Sequence, residues 1–342
     1  MSSGKGLEMH YVIGDVHGCF DELMALLDRI ESNDKDARFC FVGDFPDRGP
    51  KVKETLDWMV THVTETGKYQ SVMGNHEQLA IDWYYGEFLP WCENPGYGDE
   101  PKKSSFDFSE VMREQYDYDE TKIRTIIDTF SRFPYSKRIE VGLSNGKTVP
   151  YRICHASFRD NIDPEDQVEI NLWDRDFWGR GSVDEIMVCG HTPTFVEDFN
   201  LRGGGQDMPG FICYRSNMIN IDCGCCFRDY NDGMTFLAAI CLETMEEYYH
   251  ASAADRVLEY AASDAAAPRR KSMIKLMRSF KGADPGNTVS LEEGAAGILA
   301  GSLLEMYKEN HGTALSSGGY REMILRQFGF PDDIPVSPVR IW

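Results

Sequence analysis

The chain has 342 residues, 42% hydrophobic and 27% charged, enough for one large domain or a domain with a substantial extension. Its 35 Lys and Arg against 56 Asp and Glu leave a formal charge of −21 and a pI near 4.8. That balance excludes a main task of gripping nucleic acid or an anionic membrane, which needs a broad basic surface. An anionic substrate must therefore be drawn in locally, by metal ions and a few arginines.

No stretch of about 18 apolar residues spans a bilayer, and Met1 to His10 lacks the apolar core of a secretory signal, so a cytoplasmic protein is expected. Met9 stands as a natural start directly before the first strand. Many of the ten cysteines lie in apolar runs (Cys40, Cys154, Cys189, Cys241) and read as reduced, buried thiols. Cys223, Cys225 and Cys226 form an odder cluster, without the paired CxxC spacing of a structural zinc site.

In chain order, His10 to Ile13 reads as a strand and Asp21 to Ile30 as a helix, with Leu23, Leu26, Leu27 and Ile30 on one face. Arg38 to Val42 is the next strand. A helix carrying Val52, Leu56, Met59, Val60 and Val63 follows, then a third strand over Gln70 to Met73. This alternation implies a layered α/β core with a partly parallel sheet. From about Trp83 to Tyr118 the texture turns aromatic, acidic and Gly/Pro-punctuated, an insert read as a lid or a surface elaboration. Thr121 to Phe133 is expected to be helical. Arg138 to Leu143 and Thr148 to Cys154 flank Ser144-Asn145-Gly146-Lys147, a hairpin signal because Asn-Gly accepts the positive φ of a tight turn. Further strands are expected at Glu185 to Cys189, Met218 to Asp222 and Met234 to Leu242. Beyond about Tyr249 the chain is Ala-rich and helix-prone, broken at Gly282 to Pro285, with no evident chemistry.

Acidic, amide and imidazole residues recur where these strands end: Gly14-Asp15-Val16-His17-Gly18, Gly43-Asp44-Phe45-Pro46-Asp47-Arg48-Gly49, Gly74-Asn75-His76-Glu77, His155, and Gly190-His191-Thr192-Pro193. In open α/β sheets the crevice at the carboxyl ends of strands binds ligands, so five loops converge on one crevice. Asp15 and His17, two apart, can chelate one ion, and Asp44 can bridge to a second. Asn75, His155 and His191 offer neutral oxygen and nitrogen ligands to that second ion. A mixed O/N set suits first-row divalent metals. Each piece alone has an ordinary structural reading, as a cap, a turn or a core histidine. Their joint occurrence in this order does not.

These motifs resemble the calcineurin-like metallophosphoesterase superfamily and, within it, the phosphoprotein phosphatase family of bacterial and phage type. GDVHG, GDFPDRG, GNHE, a lone His after a strand, and GHTP match in kind and order from Tyr11 to about Thr194, and Asn220 to Gly224 is similar to the family's following strand. The resemblance covers roughly the first 245 residues. It implies a β-sandwich flanked by helices, which the strand spacing alone does not give. The expected organisation is a catalytic domain over 9–248, with an insert at about 83–118, and a helical C-terminal extension over 249–342.

Carried over residue by residue, the resemblance implies that Asp15, His17 and Asp44 bind a first metal. Asp44 as bridge, with Asn75, His155 and His191, binds a second. The ions are divalent, with manganese favoured and iron or zinc as alternatives. They lower the pKa of a bridging water, and the resulting hydroxide attacks phosphorus in line. Arg48 resembles the family's phosphate-binding arginine, its planar fork suited to a phosphoryl group. His76 matches the candidate general acid, and Asp47 the carboxylate that fixes its tautomer. Arg175, in Leu172-Trp173-Asp174-Arg175, resembles a further phosphate contact, with Arg180 as a competitor.

Two departures narrow the expectation. Met73 stands where many members place an arginine two residues before the GNHE asparagine, a replacement shared with dinucleoside tetraphosphatase-like members. Pro46 inside the GDxxDRG turn removes a backbone donor and fixes φ. The leading expectation is a phosphatase of phosphoserine, phosphothreonine or phosphotyrosine in proteins. The alternatives are a symmetrical dinucleoside tetraphosphate hydrolase, with Trp83, Tyr84, Tyr85, Trp91 or Tyr97 stacking a base, and a non-catalytic scaffold. The expected partner is a phosphorylated protein or small phosphoester, with no nucleic acid and no membrane; the sequence assigns no oligomeric state.

Overall fold

The computed structural model describes residues 8–93, 101, 107–175, 184–196, 210–228, 233–264, 266–272 and 317–331, with isolated positions at 296, 299, 333 and 334. The first strand, β1 (His10–Ile13), is followed by α1 (Phe20–Glu31), β2 (Arg38–Phe41), α2 (Val52–His62) and β3 (Tyr69–Ser71). β1, β2 and β3 run parallel, with Val12 beside Cys40 and Cys40 beside Gln70. β9 (Ala238–Cys241) and β10 (Glu247–Tyr249) complete this sheet antiparallel on the other side of β1.

A second five-stranded sheet is built from β4 (Ser136–Gly142), β5 (Thr148–Cys154), β6 (Ile186–Cys189), β7 (Cys213–Arg215) and β8 (Met218–Asn220), in the order β4-β5-β6-β8-β7. Asn145-Gly146 turns β4 into β5 with Gly146 at φ 81°, and β5, β6 and β8 are parallel. The two sheets face each other. Strand alternation sends Val12 and Cys40 of the first sheet inward against Tyr151, Ile153, Val188 and Ile219 of the second.

The opposite face of the first sheet presents Tyr11, Ile13, Phe39, Phe41 and Ala239 to the helices. Leu23, Leu26, Leu27 and Ile30 of α1 and Leu56 and Met59 of α2 pack there, as the helical spacing of their apolar residues predicts. The outer face of the second sheet carries Cys154, Met187, Cys189, Cys213 and Met218, packed with Phe158 and Val196. This is a β-sandwich with helices, as the family resemblance implies.

The aromatic insert is mostly helical where described. α3 (Asn75–Trp83) continues through a π-helical turn at Tyr84–Phe88 into α4 (Leu89–Glu93), and α5 (Phe108–Tyr116) and α6 (Glu120–Phe130) follow. Trp83, Tyr84, Phe88 and Phe108 are buried together, with Trp83 stacked on Phe88 at 5.2 Å between centroids. Trp83 and Tyr84 therefore serve the helical core rather than a base-stacking surface, Tyr85 is 55% exposed, and Tyr97 lies outside the described residues. α7 (Pro164–Trp173) starts at a proline, whose fixed φ suits the first helical turn. Toward the C-terminus, α8 (Ala253–Ala262) places Val257, Tyr260 and Ala261 in the core between the sheets. From α9 (Ser317–Phe328), Ile324 joins the same core and the Arg321 guanidinium donates to the Met245 carbonyl at 3.0 Å.

Candidate metal centre

All six parallel strands end at one edge of the sandwich, and the loops leaving them bring the two sheets' polar residues face to face. The link across the sheets is direct. The His191 backbone N–H donates to Asp15 Oδ2 at 3.0 Å, and His155 Nδ1 donates to the Val42 carbonyl at 2.9 Å. Close approach here requires glycine: a Cβ on Gly190 would lie 2.0 Å from Asp15 Oδ1, and one on Gly74 2.3 Å from Asp44 Oδ1.

The loops pay for this convergence in backbone strain. His17, Asp44, Asp47, Arg48 and His191 all have positive φ, between 42° and 71°. Non-glycine residues are held in that region only where the surroundings over-determine them, and such residues cluster at functional sites.

Asp15, His17, Asp44, Asn75, His76, His155 and His191 are all buried. Asp44 lies at the centre. Its Oδ1 accepts the His76 N–H at 3.1 Å, while Oδ2 faces His17 Nε2 at 3.3 Å, His155 Nε2 at 3.5 Å and His76 Nε2 at 3.9 Å. Burial opposes the Asp44 charge, but the imidazoles of His155, His76 and His17 hold its carboxyl well below the usual range. Burial and the neighbouring carboxylates Asp222 and Asp44 push Asp15 the other way.

The imidazole tautomers decide what this arrangement can hold. His155 spends its Nδ1 proton on Val42, and burial pushes its pKa down, so its Nε2 carries a bare lone pair. That lone pair lies 2.8 Å from Asn75 Oδ1 and 3.1 Å from His191 Nδ1, and His191 Nδ1 is itself 3.1 Å from Asn75 Oδ1. His17 repeats the pattern: Nδ1 donates to the Pro46 carbonyl at 2.9 Å, burial lowers its pKa to about 4, and Nε2 is left facing Asp44. His155 Nε2, Asn75 Oδ1 and Asp44 Oδ2 are thus acceptors with no proton of their own, a convergence that favours a cation among them. The donor set, carboxylate, amide oxygen and imidazole nitrogen, is that of a first-row divalent metal.

A family model of calcineurin-like phosphoesterases matches residues 11–219, more than half of the chain. The chain belongs to the calcineurin-like phosphoesterase family. Members of this metallophosphoesterase family act with divalent metals, in accord with the clusters His17–Asp44–His76 and Asp15–Asp44–His155, whose ligand atoms lie within 4.8 Å of one another. Two curated relatives carry different names. The serine/threonine-protein phosphatase 2 of Salmonella typhimurium is 31% identical over 213 residues, 57% of this chain and 86% of that protein. The symmetrical bis(5'-nucleosyl)-tetraphosphatase of Neisseria meningitidis serogroup A is 43% identical over 81 residues, 24% of this chain and 28% of that protein. The chain thus spans little more than a quarter of the length of this second relative. Among solved structures, a serine/threonine phosphatase from Saccharomyces cerevisiae with similarity to human phosphatase PP5 gives a TM-score of 0.44 at 15% identity, covering 70% of this chain and 74% of that one.

Around the metallophosphoesterase donor set stand the other residues singled out from sequence. His76 Nδ1 pairs with Asp47 Oδ2 at 2.8 Å, both groups buried, which fixes the ring and points Nε2 into the crevice. Arg48 donates to His17 Nε2 at 2.7 Å and His76 Nε2 at 3.0 Å, and its guanidinium lies 5.3 Å from the Phe227 ring centroid. The guanidinium thus brings positive charge to two of the converging lone pairs. Arg175 Nη1 donates to Thr192 Oγ1 at 3.0 Å, beside His191; Arg180 lies outside the described residues. Pro46 does more than stiffen its loop, because its carbonyl orients His17. Met73 is 3% exposed and packs in the helical core, so it brings no polar group to the crevice.

Two residues were not singled out by the sequence reading. Glu77 accepts from the backbone N–H groups of Asp44 at 2.8 Å, Phe45 at 2.7 Å and Gly74 at 2.9 Å, tying the loop after β2 to the loop after β3. Its signal was the glutamate three residues past the helix cap, the reciprocal position of a capping box. Asp222 ends the strand read at Met218 to Asp222, the same acid-at-strand-end signal used for Asp15 and Asp44. It is buried, accepts the Gly224 N–H at 3.0 Å, and is raised by burial to about 7.

Proposed function

We propose that this protein is a two-metal hydrolase of phosphate monoesters acting on phosphoserine, phosphothreonine or phosphotyrosine in proteins. The observation that carries the hydrolase reading is the set of proton-free acceptors converging on Asp44, with Asn75 Oδ1 2.8 Å from the lone pair of His155. In this reading Asp15, His17 and Asp44 hold one ion, and Asp44, Asn75, His155 and His191 the other, with manganese as the favoured metal. When bound, such a pair lowers the pKa of water and neutralises charge on phosphoryl oxygens.

The chain's own residues do the rest. Arg48 exchanges its contacts with His17 and His76 for two oxygens of the incoming phosphoryl group, a match for its planar fork. Arg175, held by Thr192, meets the same group from the second sheet. Once Arg48 has moved to the phosphoryl group, His76 Nε2 is free to take up a proton and give it to the leaving oxygen, while Asp47 keeps the ring oriented by holding the Nδ1 proton. The half-buried aromatic face of Phe227 keeps Arg48 at the crevice.

The protein substrate is supported by the relative named as a serine/threonine phosphatase, which aligns over 86% of its length. A second reading, hydrolysis of a symmetrical dinucleoside tetraphosphate, is supported by Met73 and by the relative that is 43% identical over 81 residues. We also place the protein in the cytoplasm: all ten cysteines are free thiols, and no described helix is long and apolar enough to cross a membrane.

Hydrolysis of an aryl phosphate, phosphoserine and phosphotyrosine peptides, and diadenosine tetraphosphate, compared side by side with manganese, tests both readings. Turnover of phosphopeptides that is lost in Asp44→Asn is expected. Preference for the dinucleotide would replace the first reading by the second, and no turnover of any substrate would overturn both.

A further inference from the structure

Two residues past His17 begins a second cluster that the hydrolytic reading leaves unused. Cys19, the residue after the GDVHG motif and the N-cap of α1, is fully buried. Cys225, in the loop after β8, is 2% exposed. Their sulfurs and a Glu22 carboxylate oxygen all lie within 4.8 Å of one another. They are distant in sequence, so the loops leaving the two sheets bring them together.

We propose that Cys19 and Cys225 are a redox-active dithiol that closes to a disulfide under hydroperoxide stress and thereby restrains the metal-centre loops. Proximity is the first ground. Sulfurs no more than 4.8 Å apart need only close to about 2.05 Å to bond. Placement is the second. One sulfur stands two residues past His17 and the other two residues before Phe227, so a bond between them ties a loop of the first sheet to a loop of the second.

The chemistry balances with hydrogen peroxide as oxidant. One thiol attacks peroxide, the O–O bond breaks, and a sulfenic acid and water form. The second sulfur then attacks the sulfenic sulfur, the S–O bond breaks, and a second water leaves as the S–S bond closes. Two sulfur-bound hydrogens are lost and one peroxide is reduced to two waters.

The consequence follows from what each cysteine is attached to. Cys19 is two residues beyond His17. Cys225 lies two residues before Phe227, which packs on the Arg48 guanidinium. Closing the bond shifts both loops, and a misplacement of about 1 Å at a catalytic constellation costs roughly 100-fold in rate. This effect on turnover rests on the phosphoesterase reading; formation of the bond does not.

The test uses the purified full chain loaded with manganese, treated with peroxide, then alkylated and mapped by mass spectrometry alongside turnover of an aryl phosphate. The expected result is loss of two of the ten alkylatable thiols, a peptide linking Cys19 to Cys225, a roughly 100-fold fall in rate, and recovery with dithiothreitol. Cys225→Ser should keep its basal rate and its remaining thiols under the same treatment, and Cys19→Ser provides the second variant should the first fold poorly. Ten alkylatable thiols after peroxide, or a bond between other partners such as Cys225 and Cys226, would overturn the dithiol. A Cys19–Cys225 bond with undiminished turnover would overturn its coupling to the site. The same bond in a protein that hydrolyses nothing when reduced would uphold the dithiol while removing the phosphoesterase reading.

Discussion

Replacing Glu77 by glutamine isolates the joint between the two loops that carry most of the site. In the native protein Oε2 accepts from Asp44 N and Gly74 N, and Oε1 from Phe45 N. Glutamine keeps the shape but has one acceptor atom. With its carbonyl toward Asp44 and Gly74, its NH2 group meets the Phe45 N–H donor to donor. One hydrogen bond to a charged group is lost, about 1.5–3 kcal/mol, and a buried N–H is left unpaired, about 1–3 kcal/mol more. Relief from burying a charge offsets part of this, since burial and Asp44 push the Glu77 carboxyl up while backbone N–H groups hold it down. The net expectation is a loss of about 3 kcal/mol. Because Asp44, Arg48, Asn75 and His76 ride on the two joined loops, turnover should fall about tenfold or more in the protein that remains folded. Urea denaturation of the metal-free and metal-loaded forms, with initial rates on an aryl phosphate, measures both effects. A variant within about 0.5 kcal/mol of the native protein and with an unchanged rate would refute the assignment of Glu77 as the joint.

Three further outcomes are expected. His76→Asn should lower kcat on phosphoserine peptides by about 100- to 10,000-fold and much less on aryl phosphates, whose leaving group needs no proton; equal losses on both would remove His76 as the acid. Arg48→Ala should raise KM and weaken inhibition by inorganic phosphate, and an unchanged phosphate affinity would place the phosphoryl group elsewhere. Burial pushes the His250 imidazole down to about 3, so below pH 6.5 the unfolded chain takes up a proton that the folded one refuses. Stability should therefore fall as pH drops from about 6.5 toward 3. His250→Asn should flatten that slope in urea titrations run across the range, and an undiminished slope would assign the acid sensitivity to other groups.

Much of the site is legible in the sequence because its chemistry sits on short loops that follow strands. A strand's carboxyl end fixes where the next residue goes, so Asp15, Asp44, Asn75, His155 and His191 could be placed in one crevice from order alone. Periodicity likewise gave α1 and α2, whose apolar faces meet one sheet. What it could not give was the pairing of strands far apart in sequence. β9 and β10 join β1 from more than 220 residues away, and β4 to β8 form a separate sheet. The sandwich therefore came from family resemblance and not from spacing. The aromatic insert had no clean period because a π-helical turn at Tyr84–Phe88 shifts the register of the buried face. Glu77 stayed hidden for a different reason. Its capping-box position marks only the bond from Gly74, and the Asp44 and Phe45 N–H groups that it also accepts leave no mark in sequence.

The most direct measurement of the central claim is the metal content of the protein, taken together with its hydrolytic rate, during titration with manganese. The account predicts two ions per chain in the native protein, with turnover of a phosphate monoester rising as the second is filled and abolished by chelation. Asp44→Asn, which removes the carboxylate facing three imidazoles, should lose the paired binding and the activity together. Fewer than two ions at saturation, or turnover that survives chelation or the Asp44→Asn exchange, would contradict it.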